Sequence, residues 1–188
     1  MNITDFLIAY VPFSHDELND ILSNFTKEHV QKNQLLVQEG QVCRKLYFVE
    51  KGMGRSYYLK EDGKEVTQWF FGPGVFMSSA DSFFKQSSSF YYLETLEDSI
   101  LYSISYERVD LLLSKYHKME KFFRLLAIDM LANIIQKVNA IQFQTAKQRY
   151  DYMISEFPNI YDRVPLGNIA SYLGITQETL SRIRRNDF

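Results

Sequence analysis

The chain has 188 residues, is 46% hydrophobic with 15 Phe and 13 Tyr, and sets 21 Lys+Arg against 23 Asp+Glu for a formal net charge of −2. That length supports one sizeable core with a small appended module, and the aromatic content excludes a disordered chain. A single cysteine excludes an intrachain disulfide, a cysteine-ligated iron–sulfur cluster and a structural zinc site, and a slightly acidic chain has no global basic coat, so any polyanion must be met by a local patch.

Cys43, the one cysteine, reads as an inert thiol in a reducing compartment. The opening residues MNITDFLIAYVPF show no basic leader, and their apolar run is too short to span a bilayer. The expected location is the cytoplasm, with no membrane partner. Ser14 with Glu17 forms a capping-box signature, and Leu18, Ile21, Leu22 and Phe25 follow at helical spacing, so a helix is expected over residues 14–30. Over residues 34–104 the pattern changes to short runs such as QLLVQEG, KLYFVEKG, KEVTQWFFGPG and ILYSIS, punctuated by glycine. Frequent turns between short Val-, Tyr- and Phe-rich runs predict a β-sandwich or barrel. Asp62-Gly63 signals a hairpin, and Gly72-Pro73-Gly74 must turn a corner.

After Ser105, which can cap a helix carrying Val109, Leu112 and Leu113, residues 118–143 contain neither Gly nor Pro and predict one long helix. On it Ala127, Leu131, Ile134, Val138 and Ile141 are spaced four, three, four, three, the rhythm of a coiled-coil seam and thus of a homodimer interface. Phe122, Phe123, Leu126, Met130 and Ile135 widen the apolar surface toward the β-rich part, and the competing reading makes the whole stripe intramolecular core. A helix over 145–157, a turn-like NIYDRVP and two short helices, about 166–172 and 177–185, complete the chain.

The last two helices lie in IASYLGITQETLSRIRR. Ala170 is small where helices cross, Gly174 suits a left-handed turn, and Thr176 is placed to cap the second helix. Helix, glycine turn, helix is the helix-turn-helix pattern. On the second helix Leu180 and Ile183 point one way, while Glu178, Ser181, Arg182 and Arg185 point the other and offer the carboxylate, hydroxyl and guanidinium groups that base edges take. The helix start, Thr176 and Gln177, can approach a phosphate. A solvated face with a Glu178–Arg182 pair, about 0.2–0.5 kcal/mol, is the bland alternative.

On these features the chain resembles the Crp/Fnr superfamily of bacterial transcription regulators, with E-T-L-S-R over residues 178–182 similar to that family's E-x-x-S-R recognition signature. The resemblance implies an α+β protein: residues 1–117 a cyclic-nucleotide-binding-like, jelly-roll-like β-barrel with flanking helices, 118–143 a long dimerisation helix, and 144–188 a C-terminal helix-turn-helix, winged-helix-like domain. It also implies a homodimer reading palindromic double-stranded DNA, with Glu178, Ser181 and Arg182 on the bases of each half-site and RNA polymerase a candidate further partner. The family's phosphate-binding cassette runs G-E-L, short helix, R-S. This chain reads GVFMSSADSFFKQSSSFYYLE there, with Ser79 or Ser78 in place of the Glu, Ser89 in place of the Arg, and Lys85 the one basic residue. Serines donate hydrogen bonds but cannot neutralise a buried phosphate, so neither cyclic AMP nor cyclic GMP is the expected effector. A different ligand in the same cavity, lined by Tyr57, Trp69, Ser78, Ser79, Phe83, Ser89 and Tyr91, or no ligand at all, is expected instead.

No cofactor or metal is expected. His15, His29 and His117 lie outside residues 34–104, so the barrel segment lacks the His cluster of a metal-dependent cupin enzyme, and no nucleophilic triad or phosphate-cradling glycine loop is present. The expectation is no enzyme. The alternative function is a ligand-sensing or protein-interaction β-roll with weak or no DNA binding, favoured by a mildly basic terminal module in which Lys147, Arg149, Arg163, Arg182, Arg184 and Arg185 face Asp151, Glu156, Asp162, Glu178 and Asp187.

Overall fold

The first helix, α1 (Ile3–Tyr10), was not signalled by a long apolar period; the Asn2 side chain caps it by accepting from the Asp5 amide, and Ile3, Phe6 and Leu7 bury its inner face. A computed structural model describes residues 1–185. The Ser14–Glu17 capping box is formed and opens α2 (His15–Ser23), which ends seven residues short of the helix expected over 14–30. Asn24 closes it, its side-chain amide donating to the Asp20 carbonyl at 2.8 Å. The remaining residues instead form strand β1 (Thr26–Val30). TKEHV carries no helical apolar stripe, and pairing with a neighbouring strand satisfies its backbone.

Seven more strands follow: β2 (Leu35–Val37), β3 (Lys45–Lys51), β4 (Gly54–Leu59), β5 (Glu65–Phe71), β6 (Phe76–Met77), β7 (Tyr92–Thr95) and β8 (Ser99–Ser105), with helix α3 (Ala80–Lys85) before β7. They form two antiparallel four-stranded sheets, ordered β1-β8-β3-β6 and β2-β7-β4-β5. The expected hairpin joins β4 to β5 with Gly63 at φ 78°. The Gly72-Pro73-Gly74 corner carries the chain from one sheet to the other, with Gly74 at φ 85° and its amide donating to the Val49 carbonyl at 2.8 Å. Four consecutive residues of β3, Leu46 to Val49, are buried, because that strand faces the sandwich on one side and helices on the other. Phe6 and Phe122 meet Phe48 and Phe76 in an aromatic cluster that seats α1 and the following long helix on the roll.

Ser105 caps α4 (Tyr106–Lys115), and α5 (His117–Phe143) is the long helix. Phe122, Phe123 and Leu126 pack on the main core as expected. Met130 and Ile135, assigned to the same flank, are exposed by 38% and 51%. Beyond Asp129, which accepts from the Tyr10 hydroxyl at 2.6 Å, the inward side of α5 is carried by Lys137 and Ala140 instead.

Thr145 and Gln148 form a second capping box at α6 (Ala146–Glu156). NIYDRVP, read as a turn, contains one helical turn, α7 (Ile160–Arg163), before α8 (Leu166–Leu173) and α9 (Gln177–Arg185). Among the described residues no strand follows Ser105, so the winged-helix-like expectation is met by helices without a wing. The terminal helices share a second core with the roll: Met53, Phe70 and Leu96 are buried together with Tyr150, Met153, Ile169, Leu173 and Leu180.

Candidate nucleic-acid interface

Gly174 ends α8 at φ 66°, ψ 34°, a left-handed conformation that glycine adopts without steric penalty. Ala170 is 2% exposed where α8 meets α9. Thr176 accepts from the Thr179 amide at 3.2 Å and so caps α9 as expected. Leu180 is buried and Ile183 packs beside it in the second core. Thr176, Gln177, Glu178, Ser181, Arg182 and Arg185, the residues chosen for DNA contact, are all exposed. The fold therefore presents one polar face of one helix, with its apolar face held down. The Glu178 carboxyl is held below the usual range by its own helix-start amide and the Thr176 hydroxyl, with Lys64 of the β4–β5 hairpin adding charge. It is ionised at neutral pH and acts as an acceptor.

The terminal cations are used unequally. Arg149 donates through Nε and Nη2 to the Leu173 carbonyl, at 3.2 and 3.1 Å, and through Nη1 to the Gln144 carbonyl at 2.7 Å. It pins the start of α6 to the end of α8. Arg163 pairs with Glu97, Lys147 with Asp151, and the Arg184 guanidinium lies 4.1 Å from the Tyr161 ring centroid. Arg182 donates to the Thr179 hydroxyl at 3.3 Å and stays exposed on the polar face with Arg185. Asp187 lies outside the described residues.

In the cassette, the Ser79 and Ser89 hydroxyls are buried and bonded to each other at 2.8 Å. Ser79 accepts from Ser89 and donates to Asp81, and the Tyr91 carbonyl, 2.8 Å from the Ser89 hydroxyl, is the alternative acceptor for the Ser89 proton. Gln68 donates to the Tyr91 hydroxyl at 2.9 Å and accepts from Ser56 at 3.3 Å. The structure thus gathers Ser79, Ser89 and Tyr91. Ser78 is half-buried beside them. Phe83 is fully buried in the main core. Tyr57 stacks on Tyr92 at 5.0 Å and sits beneath the Arg55 guanidinium, on the sheet face Arg55 shares with its cross-strand partners Phe70 and Glu94. That is the face turned to the terminal helices, so Tyr57 does not join the serine group. β4 keeps its alternation here, because the bulge opposite Ser56 and Tyr57 lies in β5, where Gln68 is the extra residue. Trp69 meets α5 instead, with the Lys137 ammonium 4.5 Å from its ring centroid. Lys85 is exposed, and Arg55, buried and unforeseen, is held by Glu94 and Glu65.

Cys43 is fully buried and burial pushes its thiol up, away from the reactive thiolate. His29 lies on β1, so the barrel does contain one histidine, which is exposed. His15 and His117 are also exposed. Along α5, Leu131, Ile134, Val138 and Ile141 are 56%, 45%, 45% and 64% exposed, and Ala127 is exposed with them. That contiguous aliphatic row is what a second helix would cover. Lys137 was missed by sequence reading; the available signal is that Asp129 and Lys137 are the charged residues between Arg124 and Thr145. Each makes a specific contact with the rest of the chain.

The cyclic nucleotide-binding domain family matches residues 27–116. The chain is 29% identical over 182 residues to an anaerobic regulatory protein of Aggregatibacter actinomycetemcomitans, covering 89% of this chain and 68% of that one. It is equally 29% identical to a fumarate and nitrate reduction regulatory protein of Vibrio cholerae, covering 89% and 70%. Its fold matches that of FixK2 from Bradyrhizobium japonicum with a TM-score of 0.75 at 19% identity, over 86% of this chain and 83% of that one. The first two relatives are regulatory proteins by name. Among the described residues no helix is long and apolar enough to cross a membrane.

Proposed function

The chain belongs to the Crp/Fnr superfamily of regulators, and from that premise we propose that it is a sequence-specific DNA-binding transcription regulator acting as a homodimer on a palindromic operator. The observation that carries this reading is α9: a capped helix after a left-handed glycine turn, with Leu180 buried and Glu178, Ser181, Arg182 and Arg185 exposed together. Glu178 accepts from a cytosine amino group, Arg182 donates to guanine, and Ser181 serves either partner. Pairing through Ala127, Leu131, Ile134, Val138 and Ile141 sets two such helices about 34 Å apart, one turn of DNA.

The β-roll does not take cyclic AMP or cyclic GMP in this reading. Ser79 and Ser89 satisfy each other where a cyclic phosphate needs a cation, and Arg55 faces the other side of the sheet with its charge balanced. Its effector is a different ligand or none, and the site of action is the cytoplasm.

Selection of bound sequences from random duplex DNA tests the proposal, run beside a Glu178→Ala, Arg182→Ala double variant. Wild type should recover a two-fold palindrome with half-sites about 10 base pairs apart, and the variant should lose the preference at the bases those residues read. If both proteins recover the same palindrome, the assignment of these residues is wrong. If neither recovers any, the DNA reading falls and an interaction role for the β-roll moves ahead.

A further inference from the structure

β5 is an edge strand of its sheet, with β4 on one side and, among the described residues, no strand on the other. An open edge leaves backbone donors and acceptors unpaired. Here the terminal helices and α5 cover it. The Ser171 hydroxyl on α8 accepts from the Thr67 amide at 2.9 Å and donates to the Glu65 carbonyl at 3.3 Å, so one side chain serves two edge groups. The Lys137 ammonium on α5 donates to the Gln68 carbonyl and sits 4.5 Å from the ring centroids of both Trp69 and Tyr172. Phe70 packs on Tyr172 at 4.9 Å and on Phe157 at 6.3 Å. From beneath, Arg55 braces the strand through Thr67 at 3.2 Å and through Glu65. Further along, Arg163 reaches Glu97 and the Gly52 carbonyl.

This seat grips the terminal unit through α7 and α8 and leaves the polar face of α9 open. The covalent connection from α5 to α6 is only Gln144 and Thr145. A module tied by two residues alone swings freely and must lose that freedom on bivalent binding, whereas a seated module has one orientation and loses less. Lys137 belongs to the same helix as the Leu131–Ile141 seam, so the seat links the dimer contact to the reader. Gln68 links it to the roll's interior, its side chain bonded to Tyr91 while its carbonyl takes Lys137.

We propose that the β5 edge is the seat that fixes the distance and angle between the two reading helices, with Ser171 and Lys137 as positioning residues that set the half-site spacing a dimer accepts. This rests on the DNA-reading dimer proposed above. Wild type, Ser171→Ala and Lys137→Met would be compared on duplexes carrying the half-sites that wild type selects, with the separation lengthened or shortened in single base pairs. Wild type should prefer one spacing, and each variant should lose about tenfold of that preference, the equivalent of one or two hydrogen bonds, while discriminating base changes within a half-site as wild type does. Loss of base discrimination together with spacing would mark a merely structural effect and overturn the proposal. So would a spacing preference unchanged in both variants. Hydrogen exchange of the Thr67 amide reads the seat without DNA: about tenfold faster exchange in Ser171→Ala is expected, and unchanged exchange means that the edge is not covered this way. If wild type selects no sequence, the DNA-reading proposal fails and the positioning role with it, whatever Thr67 exchange shows of the seat.

Discussion

Lys137 presents its ammonium to a backbone carbonyl and two aromatic rings. Burial penalises the charged form, and the rings oppose that by about 0.5–1 kcal/mol each. Burial dominates and pushes the ammonium down to about 8. Between about 8 and the ordinary value of 10.5 the folded chain holds fewer protons at this site than the unfolded chain. Stability therefore rises with pH across that window, and the burial penalty is complete below it. Buried phenols act the other way above pH 10, since those of Tyr10, Tyr57 and Tyr172 are raised to about 12 and must ionise on unfolding. Both proteins share the phenols, so wild type compared with Lys137→Met isolates the lysine. Urea midpoints from pH 7 to pH 10 should gain on the order of 1–2 kcal/mol in wild type relative to the variant, after allowance for the rings and solvent. Parallel profiles would mean that the ammonium is solvated. At this scale the terminal motif was the legible part: glycine, cap and opposed faces follow from helix geometry alone. Lys137 and Arg55 were not, since nothing local distinguishes a lysine that will lie between two rings from one in water.

Elements were legible where local chemistry decides them. The Ser14–Glu17 capping box, the Gly63 hairpin, the Gly74 corner and the start of α9 follow from side chains within four residues of one another. Errors fell where a distant strand competes for the backbone. Residues 26–30 leave the helix pattern because β8 is there to pair with them, and Thr67 and Trp69 turn to opposite faces because a bulge at Gln68 interrupts β5. The long helix shows both cases. Its length follows from the absence of Gly and Pro, but which apolar residues turn inward past Asp129 depends on where the terminal helices sit. Its outer row makes a sharp prediction. Ile134 is 45% exposed in the single chain and outside both buried cores, so a charge there removes little intrachain packing and should leave folding stability within about 0.5 kcal/mol of wild type. Between two chains the same charge meets its own copy across an apolar seam. Ile134→Glu should therefore sediment as a 22.2 kDa monomer with an unchanged circular dichroism spectrum and lose operator binding. A variant that remains dimeric places the seam elsewhere.

At the scale of the whole molecule the question is how a chain of net charge −2 would hold the polyanion proposed for it. The fold uses Arg149 to tie α6 to α8, Arg163 to tie α7 to the roll, and Arg184 against the Tyr161 ring, while Lys147 pairs with Asp151 within α6. Arg182 and Arg185 remain on the reading face. With Arg182 assigned to guanine, Arg185 is the phosphate-facing cation of each protomer, two per dimer, and each neutralised phosphate contributes about −0.9 to the slope of log affinity against log salt. Operator binding should then show a slope of only about −2, with specificity carried by base contacts more than by charge. Arg185→Ala removes one cation from each protomer, so in a dimer the slope should become shallower by about 2 and in a monomer by about 1. Fluorescence anisotropy titrations between about 50 and 200 mM salt give that number directly. A change near 2 counts two modules on one duplex. A change near 1 assigns binding to single modules, and a slope that does not move takes Arg185 off the phosphates.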